Sequence, residues 1–159
     1  MSNLGDGVGV HNNGVYQQLA VVLQQLVEMN NQIARINARA ALTEARKFNN
    51  KITSRLRNVV DYEPIPKTFP GHPTVEPPQI KNINIQVAYE IGDLPPPNLL
   101  PRNDAAFAAL KASRQSPLPT VRAIQWFYND PLLGPILNDD ATLDDCREFL
   151  DTLKEYIKL

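Results

Sequence analysis

Cysteine and histidine are scarce in this chain. Its 159 residues include one cysteine, Cys146, and two histidines, His11 and His72. A single cysteine cannot build a disulfide framework within one chain or a cysteine-rich zinc site. Two histidines so far apart fit a histidine-based metal centre poorly, and Cys146 has no sequence neighbour to pair with as an activated nucleophile. Long apolar runs are also missing. None approaches the ~20 residues of a membrane span, and the first residues lack the basic-then-apolar pattern of a secretory signal. Neither sign of charge dominates: 16 basic residues stand against 17 acidic, a net −1. The chain as a whole is therefore neither a polycation built for nucleic acid nor an acidic tail.

Motifs for chemistry are equally sparse. There is no phosphate-binding glycine loop and no G-x-S-x-G; the GDGVG at 5–9 follows no strand. Asp139, Asp140, Asp144, Asp145 and Glu148 crowd the start of a helical pattern, where they suit the helix dipole. Their spacing lacks the glycine and terminal glutamate of a calcium loop. These absences lead to an expectation of a non-enzymatic protein without cofactor, metal or membrane partner, in an intracellular setting, cytoplasmic or nuclear.

What is present is strong segmentation. Residues 1–14 hold four of the seven glycines and should form a flexible tail. Residues 15–60 contain neither Pro nor Gly, residues 61–102 hold ten of the fourteen prolines, and residues 103–159 return to helical composition. Charge is segregated too. Residues 35–60 sum to +6, residues 104–159 to −3, and residues 1–34 carry only Asp6 and Glu28.

Residues 15–60 read as one long helix that Asn12 or Asn13 can cap. Val15, Leu19, Val22, Leu26, Met29, Ile33, Ile36 and Ala40 recur at alternating steps of four and three, a heptad seam. At 1.5 Å per residue the helix would be ~70 Å long, too long to be the buried centre of so short a chain. It needs a partner, and the simplest partner is a second copy. Both core positions mix β-branched and γ-branched residues, so two, three or four strands remain open. Leu23 and Val27 widen the stripe, which suits a bundle or a helix that also docks the C-terminal domain. A second stripe, Ala34, Ala38, Ala41, Ala45, Phe48, Ile52, Leu56 and Val59, implies a different partner surface beyond Ile36.

Arg35, Arg39, Arg46, Lys47, Lys51, Arg55 and Arg57 make the second half of this helix basic. A basic helix beside a coiled coil can enter a DNA major groove. It can equally be a solvated face or meet an acidic partner surface, another protein or the chain's own C-terminal domain. Its own apolar stripe and the lack of an aromatic stacking platform favour the second reading.

The stretch EPIPKTFPGHPTVEPP should be an extended strap packed on its own protein through Ile65, Phe69 and Val75. Residues 83–91 alternate apolar (Ile83, Ile85, Val87, Tyr89, Ile91) with polar or small, the pattern of a short β-strand. Its expected pairing partner is either the segment near Thr68–Val75 or the same strand of another subunit, preferably the latter. Three short helices should follow. The first is capped by Asn103 or Asp104 and carries Phe107 and Leu110. The second runs from about Pro119 to Tyr128 and buries Trp126. The last is opened by a Thr142–Asp145 capping box and buries Leu143, Cys146, Phe149, Leu150, Leu153 and Ile157. The expected fold is mainly α: a long N-terminal coiled-coil helix, a proline-rich strap with one short strand, and a small acidic helical domain.

The run ARKFNNKITSRLRN, followed by PIPKTFPG, EIGDLPPPNLLPRN and a helix ending WFYND, resembles the C-terminal domain of a fungal family named after a meiotically up-regulated gene. The likeness covers residues 38–155. It implies a fungal origin and this order of elements, without a reaction.

Overall fold

The structure, a computed structural model, describes residues 3–72 and 74–159, with side chains from Asn12 onward. Among the described residues it is mainly α, with four α-helices: α1 Asn3–Asn50, α2 Asp104–Ala112, α3 Leu118–Tyr128 and α4 Leu143–Tyr156. A single 3-10 turn, Pro131–Leu133, joins α3 to the segment before α4. The chain divides into two compact units at Ala34, inside α1.

The first unit consists of α1 up to Ala34. Helix already begins at Asn3, within the glycine-rich stretch expected as a tail; Met1, Ser2 and the side chain of His11 lie outside the described part. Every residue from Asn12 to Ile33 is exposed.

The second unit, Arg35–Leu159, has its own core. At its centre is α3, in which Val121 and every residue from Ala123 to Tyr128 are buried. Apolar residues on nearly all sides require cover on nearly all sides, and three sources supply it. One is α4, through Cys146, Phe149, Leu150 and Leu153. The others are α2, through Phe107, and the strap, through Ile65 and Leu99. Edge-to-face rings link these layers: Tyr89 to Phe127 at 4.9 Å, Phe127 to Tyr128 at 4.8 Å and Tyr128 to Tyr156 at 5.8 Å. Trp126 is core, as its apolar neighbours predict.

Local signals at the short helices agree with the sequence. The Asn103 side chain accepts from the Ala106 amide, and Thr142 and Asp145 form the reciprocal capping box of α4. The box fills two donors that the first helical turn leaves free. Leu143, expected in the core, is 39% exposed. It is the first helical residue, ahead of the turn whose face meets the core.

Two further differences from expectation concern the end of α1 and the alternating segment. The long helix stops at Asn50 rather than near residue 60. Lys51 and Ile52 donate to Phe48 and Asn49 in tighter three-residue turns, and residues 54–59 are turns. The cause is Asn49, whose buried side chain bonds to Glu63 and Ile157 and draws the strap across the helix end. Nor does the chain itself pair residues 83–91 as a strand. The only pairing among the described residues is an isolated bridge between Ile80 and Ile83. The alternation has another use: Ile83, Ile85 and Tyr89 pack against the core while Asn84, Gln86 and Glu90 face water. An extended strap with one face on a core has the same period as a half-buried strand. Val87 breaks the pattern and is exposed.

Prolines leave the strap short of amide donors and rich in free carbonyls. Side chains of α3 and the residue after it supply donors. Tyr128 donates to the Ile65 carbonyl at 2.8 Å, Trp126 to that of Val75 at 3.1 Å, and Asn129 to that of Pro70 at 2.9 Å. Asn129 caps α3 in the left-handed region, with φ 45°.

Candidate interaction surface

All eight residues of the seam are exposed. Val15, Leu19, Val22, Leu26, Met29 and Ile33, in the first unit, are between 40% and 55% exposed, and Ile36 in the second is 65% exposed. Tyr16, Leu23 and Val27 add a flank that is more exposed still. A contiguous apolar ridge of this kind on a water-facing helix is a candidate contact surface.

Within the second unit the geometry explains why the core leaves Ile36 and Ala40 uncovered. Ala38, Leu42, Ala45 and Asn49 are the buried residues of α1. At about 100° per residue they lie roughly 180° round the helix from Ile36 and Ala40. Within the second unit the helix turns one face to the core and Ile36 and Ala40 to the opposite side. The expected second stripe is thus present but displaced. Ala38 and Ala45 are buried, whereas Ala41, Phe48, Leu56 and Val59 are exposed and Ile52 is half-buried. Leu42 and Asn49, which the reading of the stripe did not single out, complete it. Leu42 carries a usable signal, standing four residues after Ala38. Asn49 carried only a weak one, as a poor helix former next to Asn50.

The basic residues do not act as one group. The Arg46 Nε donates to the Tyr156 carbonyl at 2.9 Å, and its guanidinium stands 4.8 Å over the Tyr156 ring. Lys47 pairs with Glu44 at 3.0 Å across one helical turn. Arg35, Arg39, Lys51, Arg55 and Arg57 are exposed. Because α1 ends at Asn50, Lys51, Arg55 and Arg57 leave the helical register, and the expected row Lys47, Lys51, Arg55 is not helical beyond its first member.

Several polar groups of the second unit are buried or partly buried. Tyr156 donates to Asp130 at 2.7 Å, and burial followed by that carboxylate pushes its phenol well above the ordinary range. Burial does the same to Tyr128. Tyr62 is raised by burial and by its bond to Asp104. Lys67 is buried in the strap, with its ammonium 5.2 Å over the Phe127 ring, and desolvation lowers its pKa. Burial and the nearby Lys67 charge lower that of His72. Among the described residues no three His, Cys, Asp or Glu side chains converge as a metal site. Cys146 is buried. A groove of about 330 Å³ between strap and α3 is lined by Val75, Pro78, Leu118, Arg122, Trp126 and Ile136. Its one basic group, Arg122, is paired with Asp139.

No helix among the described residues is long and apolar enough to cross a membrane. No protein-family profile, curated protein or solved structure matches the chain.

Proposed function

We propose that this is a non-enzymatic, self-associating structural protein whose α1 helices pair through the seam Val15, Leu19, Val22, Leu26, Met29, Ile33, Ile36 and Ala40. One observation carries the reading. The seam has heptad spacing and is exposed throughout, and within the second unit the buried stripe of α1 lies on the side opposite Ile36 and Ala40. A second copy supplies the same apolar ridge in the same period, which is what knobs-into-holes packing requires. The flanks support it: between residues 17 and 32 the only charge is Glu28, so like chains meet without repulsion. The role is assembly or scaffolding, with a larger assembly within reach, in a cytoplasmic or nuclear setting. The resemblance to the fungal family belongs to this proposal as a guide to origin.

The alternative is a nucleic-acid-binding dimer that uses the exposed Arg35, Arg39, Lys51, Arg55 and Arg57. It is the weaker reading, because Arg46 and Lys47 are already engaged and the basic stretch is not one helix. Light scattering of the wild type against Leu26→Asp tests the self-association. Self-association predicts a multiple of the 17.8 kDa chain mass for the wild type and the single mass for the variant. An unchanged mass between them removes the seam. A salt-dependent shift of mixed nucleic acid promotes the alternative.

A further inference from the structure

We infer that the assembly contains three or four α1 helices rather than two; this rests on the self-association proposed above. The argument is the width of the apolar arc in the first unit. Placed at about 100° per residue, the six seam residues from Val15 to Ile33 occupy roughly 80° of the helix circumference. Tyr16, Leu23 and Val27 extend the arc on one side only, to roughly 160°. These three side chains are 69%, 62% and 59% exposed. The other flank is Gln18, Gln25 and Gln32, which are polar and exposed.

A single facing helix covers the narrow seam and the edges beside it. Val27, about 100° from Leu26, would still face water in a pair, and so would much of Tyr16. A third or fourth copy, approaching on the Leu23 side, covers them. Bundle helices carry such a three-position stripe, whereas two-stranded coils carry the strict two-position one. One polar residue, Asn30, lies within the added flank. It comes beside Gln and Asn side chains of a neighbouring helix, which can satisfy an amide. No charged residue falls in the arc, since Glu28 is on the far side.

The test is light scattering at several concentrations on the full chain and on the triple variant Tyr16→Gln, Leu23→Gln, Val27→Gln. Trp126 fluorescence reports in each case that the second unit is folded. The expected result is three or four times 17.8 kDa for the wild type and twice that mass for the triple variant, whose narrow seam is intact. A wild-type dimer overturns this inference and leaves self-association standing. A wild-type monomer overturns both. A triple variant that keeps the wild-type mass overturns the inference too, because the added flank would then contribute nothing.

Discussion

Replacing Asn49 with Ala should destabilise the second unit far more than a surface change at a helix end would. Asn49 is 1% exposed. Its Nδ2 donates to the Glu63 carbonyl at 3.1 Å and to the Ile157 carbonyl at 2.9 Å, and its Oδ1 accepts from the Glu63 amide at 2.8 Å. One side chain thus ties together the end of α1, the start of the strap and the turn after α4. Alanine removes all three bonds. Water can reach the partly exposed Glu63 groups, so each of those bonds costs about 0.5–1.5 kcal/mol. The Ile157 carbonyl is left buried and unpaired, at about 1–3 kcal/mol. The total is roughly 3 kcal/mol, a large share of the stability of a small domain. Urea unfolding followed by Trp126 fluorescence should show the midpoint fall by about 1–3 M, given m-values of about 1–3 kcal/mol/M. The oligomer mass should not change, since Asn49 is on the side of α1 away from Ile36 and Ala40. A loss below about 0.5 kcal/mol, within the range of an ordinary surface substitution, would refute the staple.

Two further predictions concern ionisation. Lys67 is buried and desolvation lowers its folded pKa, so the unfolded chain binds more protons and stability rises with pH up to the ordinary lysine range. Lys67→Met should therefore stabilise the protein by about 1 kcal/mol at pH 7, with the gain fading as pH approaches the ordinary lysine value; thermal melts that show destabilisation at pH 7 would contradict this. Tyr62, Tyr128 and Tyr156 have folded pKa values raised chiefly by burial, so their contribution is complete below the ordinary tyrosine value and is lost as pH rises beyond it. Unfolding midpoints should drop steeply above about pH 10, and Tyr156→Phe should make that drop shallower while costing about 1–2 kcal/mol at neutral pH through the lost bond to Asp130.

Much of the second unit was legible because its signals are local. A Thr followed three residues later by Asp, an Asn before an alanine run and a proline at a helix start each act within one turn. Apolar spacing placed Phe149, Leu150 and Leu153 in the core for the same reason. The end of α1 was not legible. Nothing between Asn50 and Val60 breaks a helix by composition, and the stop depends on Asn49 meeting residues 63 and 157, which are distant in sequence. Strand and strap could not be separated at 83–91, because the twofold alternation reports only that one face is covered. Lys67 gave no warning either, since lysine stems are ordinarily at the surface.

The heptad spacing was legible as a period, and the structure adds the side to which Ile36 and Ala40 face within the second unit. Periodicity alone allows the ridge of α1 to fold onto its own C-terminal core, and a widened stripe makes that plausible. In the second unit the core instead takes Ala38, Leu42, Ala45 and Asn49. Small residues on that side let the strap and the end of α4 approach closely, as the Arg46 and Asn49 contacts to Tyr156 and Ile157 show. A helix carrying two stripes on opposite faces cannot bury both against one compact body. The core occupies the alanine side, so Ile36 and Ala40 stay exposed, and Val15 to Ile33 keep the same heptad spacing with every side chain exposed.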